Sequence, residues 1–188
     1  MTRQYAKRPA RPITAKYLQN AATFYLERYP STAEGLRRVL NRRVRKAEMV
    51  QAPIMENVQQ AIAAIVARFV DAGVIDDKAF AQTKARALHR RGTSSKLTRQ
   101  KLRMAGVDGD TLDQAMAGLD QELHTDPRQR EWKAAVALAR RRKLGPYRQK
   151  DRKEKRDRDL AAMARGGFDY AIAKKVIDAV DVDALDES

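Results

Sequence analysis

The side chains with chemistry to offer in this sequence are cations set at helical spacing. What they offer is pairing of guanidinium and ammonium groups with phosphates or carboxylates. Arg38, Arg42 and Arg45 fall at i, i+4 and i+7, and Lys96, Arg99 and Arg103 at i, i+3 and i+7. Both spacings gather three positive charges on one face of a helix. A third, less regular set holds Arg140, Arg141, Arg142, Lys155 and Arg158, and Arg90-Arg91 belong to the same basic run as Lys96, Arg99 and Arg103. A single basic run is most often a solvated helix face. Recurrence in three stretches argues instead for a stripe matched to a long anionic partner, such as a nucleic acid or a filament built on one.

The charge is sorted along the chain. Lys84 to Arg103 carries eight Lys/Arg and no acid, whereas Val107 to Asp126 carries six Asp/Glu and no Lys or Arg. With 39 basic against 24 acidic residues, a formal charge of +15 and a pI near 10.3, the 188-residue chain is drawn to polyanions before any specific contact forms. Hydrophobic content of 43% is enough for a core. The lack of cysteine excludes disulfides and thiolate sites and fits the cytoplasm. No apolar segment follows the basic stretch Met1 to Pro12, and no run has the length of a membrane span, so neither a leader nor membrane insertion is expected.

Catalytic constellations are not found. The sequence has no phosphate-binding Gly-x-x-x-x-Gly-Lys-Ser/Thr, no His-Glu-x-x-His and no Gly-x-Ser-x-Gly. His89 and His124 are read as surface or cap residues, and Asp108, Asp110 and Asp113 as helix-start acids that complement the dipole rather than metal ligands. No enzyme activity, cofactor or metal is expected.

The elements that must position the cations are helices throughout. Ile62, Ile65, Val66, Phe69 and Val70 draw one apolar stripe after Pro53, and Gly73 ends it. Asp76 or Asp77 caps the next helix, which runs to Gly92. One of Thr93, Ser94 and Ser95 caps a successor that breaks at Gly106, Asp108 or Asp110 begins another, and Pro127 opens a further one. Helices over 13–28 and 31–46, one ending near Arg165 and one over 169–180 complete the series. No period-two alternation calls for a strand.

Leu40, Leu102 and Met163 lie 62 and 61 residues apart, each on the middle helix of a group of three. The expected architecture is therefore all-α: three tandem three-helix modules in an elongated, curved helical-repeat array. The modules span residues 13–75, 76–126 and 127–180, between a basic tail over 1–12 and an acidic end over 181–188. On the middle helices Leu36, Val39 and Leu40, then Leu97, Met104 and Ala105, then Leu160, Met163 and Ala164 form the apolar sides, with the cations opposite.

The run Asp76-Asp77-Lys78-Ala79-Phe80-Ala81, then Arg90-Arg91-Gly92, then Leu102 with Gly106-Val107, resembles the central module of the RecX family of bacterial recombination regulators. Arg28 to Ser31, Glu34, Leu36 and Leu40 resemble its first module, and Leu160 to Arg165-Gly166-Gly167-Phe168 the close of its third. Two features depart from the family pattern: Gly35 at a helical position and a charged, insertion-like segment over 143–157. The resemblance implies a regulator of the RecA recombinase, and the chain is expected to be a monomer. It would bind the RecA filament on single-stranded DNA, lie in the filament groove, and inhibit ATP hydrolysis, filament extension and strand exchange, with DNA a secondary, salt-dependent partner. The cations of the basic runs would form that interface.

Two other readings compete. A helix-turn-helix protein would place one basic helix in the DNA major groove. An adaptor without nucleic acid would use the acidic stretch over 107–126 to dock a basic protein. Trp132 reads as a core anchor before a base-stacking platform, and Tyr147 as a loop tyrosine resting on a helix before an exposed stacking ring.

Overall fold

The computed structural model describes residues 11–186, the side chain of Asp186 excepted. The expected tail therefore lies outside the described residues up to position 10, and the acidic end beyond 186. Among the described residues the chain is all-α, and its only extended pairing is an isolated bridge between Ile13 and Ile54. The helices are α1 (Ala15–Leu26), α2 (Ala33–Met49), α3 (Val58–Asp71), α4 (Asp77–Arg90), α5 (Ser95–Ala105), α6 (Gly109–Glu122), α7 (Pro127–Arg142), α8 (Arg156–Arg165), α9 (Tyr170–Asp178) and the one-turn α10 (Asp183–Asp186). They divide into two compact units, residues 1–80 and 81–188, with the division inside α4.

In the first unit, α1, α2 and α3 close around Leu18, Ala22, Leu36, Leu40, Ile62 and Ile65, each at most 1% exposed. A fully buried side chain of leucine or isoleucine size contributes about 1.5–3 kcal/mol. Both ends of the bridge stitch the chain before α1 to the chain before α3: Ile13 N donates to Pro53 O at 2.8 Å and Met55 N to Ile13 O at 3.0 Å. Helix α2 starts where Thr32 Oγ1 accepts from Gly35 N at 2.9 Å. Asp77, at the head of α4, accepts from Ala33 N at 2.9 Å, so one carboxylate satisfies a free N–H at the start of α2 as well. Gly35 thus lies in the capped first turn of α2, where glycine costs less than in mid-helix.

The second unit centres on Ala135, Leu138, Ala139, Met163, Phe168, Val176 and Ile177 of α7 to α9. Small side chains on α7 let other backbone come close. Gly92, at φ +68°, follows α4 so near to α7 that a Cβ there would stand 2.7 Å from Leu138 Cα and 2.8 Å from Ala134 O. The close approach and the left-handed backbone both require glycine. Ser94 caps α5, accepting from Leu97 N at 3.2 Å, while its own N–H donates to Gly166 O at 3.3 Å.

Two helix faces differ from expectation. The buried side of α5 is Thr98 and Leu102, continuing from buried Ser94 at i, i+4 and i+8; Leu97 is half-buried and Met104 is 70% exposed. In α8 the buried residues are Asp159, Ala162 and Met163, with Leu160 half-buried and Ala164 exposed. Polar residues hold inward positions in both helices, Thr98 in α5 and Asp159 in α8, which rotates the core-facing side away from the most hydrophobic one. The 143–157 segment is also tied down: it forms a 3-10 turn, Gly145–Tyr147, and each of its three spaced arginines has a partner.

Candidate functional site

The cations sort into those already paired within the chain and those left for a partner. In the first unit Arg38 Nε donates to Glu34 Oε1 at 2.8 Å, one turn away on α2, and Arg37 also holds Glu34 at 2.6 Å. The Arg37 hydrogen bond, with help from Arg38, keeps the Glu34 carboxyl below the usual carboxylate range despite partial burial. Arg42 and Arg45, further along the helix, are exposed and make no ion pair among the described residues.

In the second unit the acidic helix α6 answers the cations around it. Asp113 pairs with Arg99 of α5, Glu122 with Arg86 of α4 at 2.6 Å, and Asp120 with the buried Arg130 of α7. Two more acids of the run are caps. Asp108 accepts from Thr111 N at 2.9 Å, and those Thr111 hydrogen bonds hold its carboxyl below the ordinary value. Asp126 caps α7 with a reciprocal bond from Gln129, and Asp110 stands in the first turn of α6, where a negative charge complements the dipole. Five of the six acids are thus partnered inside the unit, which leaves little of the run to dock a basic protein.

What the acids do not neutralise is a large exposed basic remainder. Arg90 ends α4 and Arg91 follows it, Lys96 and Arg103 stand on α5, Arg140, Arg141 and Arg142 end α7, and Arg158 lies on α8; all are exposed and none is ion-paired among the described residues. Lys155 is half-buried at the N-cap of α8. A basic last turn complements the C-terminal end of a helix, so Arg90 and the Arg140–Arg142 run serve their helices while facing solvent.

Sequence reasoning missed the cations that act inside the fold. Arg130, 6% exposed, donates to Met116 O at 3.3 Å and to Ser95 Oγ at 3.3 Å, which joins α5, α6 and α7. Arg148 grips Asp159; that hydrogen bond raises the Arg148 pKa further. Arg152 donates to the Ile177, Ala179 and Val180 carbonyls at the end of α9. Arg156 takes Asp178 on both oxygens at 2.7 and 2.8 Å and holds that carboxyl below its ordinary value. Their spacing, 148, 152 and 156, is itself a helical i, i+4, i+8 pattern, but its partners lie 11 to 28 residues away. Trp132 is half-buried against the core of the second unit and Nε1 donates to Leu185 O at 3.2 Å; Tyr147 packs against the same core.

No group of three His, Cys, Asp or Glu side chains among the described residues could hold a metal ion, and no described helix is long and apolar enough to cross a membrane.

Comparison with known proteins places this arrangement. Residues 76–116 match the family model described as RecX, second three-helix domain. The chain is 40% identical over 174 residues to a regulatory protein RecX of Myxococcus xanthus, covering 92% of this chain and 89% of that one. It is 31% identical over 162 residues to a regulatory protein RecX of Agrobacterium fabrum, covering 86% and 82%. Among solved structures, the crystal structure of RecX from Lactobacillus salivarius superimposes with a TM-score of 0.58 over 93% of this chain and 97% of that one. At 21% identity that last likeness bears on the fold alone.

Proposed function

The chain belongs to the RecX family of regulatory proteins, and from that premise we propose that it regulates a RecA recombinase by binding its filament on single-stranded DNA. It lies in the filament groove as three three-helix modules, over 13–75, 76–126 and 127–180, and acts as a monomer in the cytoplasm. There it inhibits ATP hydrolysis, filament extension and strand exchange. DNA phosphates are a secondary, salt-dependent part of the contact.

The observation that carries this reading is the separation of the two kinds of cation. Helix α6 neutralises Arg86, Arg99 and Arg130 within the second unit. Arg42 and Arg45 in the first unit, and Arg90, Arg91, Lys96, Arg103, Arg140, Arg141, Arg142 and Arg158 in the second, are left for an external anion. Long-range attraction from such a surface accelerates encounter with a polyanion. Contacts distributed over several helices bind a repeating target better than any one patch, because each after the first is made at high effective concentration.

The test is to follow single-stranded-DNA-dependent ATP hydrolysis by a bacterial recombinase while the protein is titrated in. Inhibition at equimolar ratios or below is expected. Unchanged turnover under a large excess of folded protein overturns the reading. A salt series separates filament from bare DNA. Phosphate neutralisation alone weakens steeply with salt, so the preference for recombinase-coated DNA should widen as salt rises; equal affinities with equal slopes would assign the protein to direct DNA binding.

A further inference from the structure

Helix α7 has a second, partly exposed face at the edge of the core, and along it stand Trp132, Lys133, Val136 and Arg140. With Tyr147 and Leu185 opposite, they line a cleft of about 510 Å³, none of whose lining residues is acidic. We propose that this cleft binds a nucleotide, its base against the Trp132 and Tyr147 rings and its phosphate at Lys133 and Arg140.

Each part of that ligand has a counterpart in the cleft. The volume lies within the 300–1,000 Å³ range of small-molecule sites. Lys133 and Arg140 are exposed, make no ion pair among the described residues, and sit two turns apart on one face, so both long side chains can reach a phosphate seated between them. Trp132 is held in place before any ligand arrives, by its Nε1 bond to Leu185 O and by Lys175 Nζ 4.7 Å from the ring centroid. A prepositioned aromatic beside free cations is the arrangement on which bases stack.

The neighbouring cavities do not share it. One that also borders Trp132 includes Asp178 in its wall, and in another Arg152 and Arg156 are committed to backbone carbonyls and to Asp178. The same chemistry could come from a free nucleotide or from one unit of a single strand. Neither source requires a recombinase; Arg140 also belongs to the basic surface of the regulatory reading, so Lys133→Gln is the variant that tells the two apart.

Trp132 is the chain's only tryptophan and so reports on its own cleft. The full chain is titrated with deoxyadenosine, with its 5′-monophosphate and with a short oligodeoxyadenylate, and tryptophan emission is read. A saturable change is expected with a phosphate-bearing probe and not with the nucleoside, weakened roughly tenfold or more in Arg140→Ala and in Lys133→Gln. Both substituted residues are exposed, and unchanged far-ultraviolet dichroism verifies their folds. Saturation by the monophosphate assigns the site to a free nucleotide. Saturation by the oligomer, at concentrations where the monophosphate has no effect, assigns it to a strand. An equal response to the nucleoside, no saturable response to any probe, or a response that both variants leave intact overturns the proposal. Inhibition of recombinase by the same variants is measured separately and reads only the regulatory function.

Discussion

Asp159 receives the Arg148 guanidinium on both of its oxygens, at 3.0 Å from Nε and 2.5 Å from Nη2, while its side chain is only 1% exposed. The same carboxylate accepts the Gly145 N–H at 3.0 Å. A short charged stretch between α7 and α8 is thereby fixed to the core by one acid that α8 turns inward. Removing either member leaves the other unmatched, and a buried charge without its partner is costly.

Asp159→Ala should therefore lower unfolding free energy by about 3–5 kcal/mol, measured by urea denaturation. Arg148→Ala should cost at least as much, because it strands the carboxylate, 1% exposed, whereas Asp159→Ala strands a guanidinium that is 24% exposed. A change below about 1 kcal/mol for Asp159→Ala would show that the site collapses without the ion pair.

Gly92→Ala and Gly73→Ala should differ although both residues have φ near +68°. At Gly73 a Cβ meets nothing within 4 Å, so only the left-handed backbone is penalised, by about 1–2 kcal/mol. At Gly92 the Cβ also strikes the α7 backbone, and overpacking adds about 1–3 kcal/mol. Thermal melts of the two variants side by side measure the difference.

His89 is held below its ordinary value of about 6.5, first by burial and then by Arg130 and Lys133. Its neutral form is the one that fits the fold. The unfolded chain then binds the extra proton first, so stability is complete above about pH 6.5 and falls as pH drops below it toward the folded-state pKa. His89→Gln should flatten that part of a plot of urea midpoint against pH. The lowered carboxyls of Glu34 and Asp178 act further down, below their ordinary range, and their contribution is lost as pH falls through it. The two regions should separate in the titration.

Arg42→Ala with Arg45→Ala should weaken polyanion binding and reduce the slope of log affinity against log salt by roughly 0.7–0.9 for each phosphate no longer neutralised. Arg38→Ala and Arg99→Ala should do less, since their charges are already offset by Glu34 and Asp113. Stability of the Arg42 and Arg45 variants should change by no more than about 0.5 kcal/mol. Fluorescence anisotropy of a labelled strand across a salt series reads the slopes.

Helix positions were legible because their ends carry local chemistry. Asp76, Ser94 and Asp108 cap, Pro127 opens a helix and Gly73, Gly92 and Gly106 close others where expected, all through interactions a few residues long. The exposed positions of Arg42, Arg45, Lys96 and Arg103 also followed from periodicity. Periodicity misled on α5 and α8, because it ranks Leu97 and Met104 above Thr98, and Leu160 above Asp159. The inward places of Thr98 and Asp159 depend on residues elsewhere in the chain, among them Arg148. Arg130 looked like any other surface arginine for the same reason: its partners lie on α5 and α6. Helix α10 passed unnoticed because one turn is too short to show a period.

The bonds of the Gly92–Ser95 turn have a consequence for the order in which the protein is made. Ser94 bonds to Gly166 O, Ser95 N bonds to Glu131, and a Cβ on Gly167 would collide with Ser94 Oγ. As the chain leaves the ribosome, the first unit has its last helix-capping partner once Asp77 emerges. The turn after α4 must wait until Gly166 and Gly167, far along the chain, arrive to close over it. Synthesis therefore completes one unit early and leaves the start of the other open until nearly the whole chain is out.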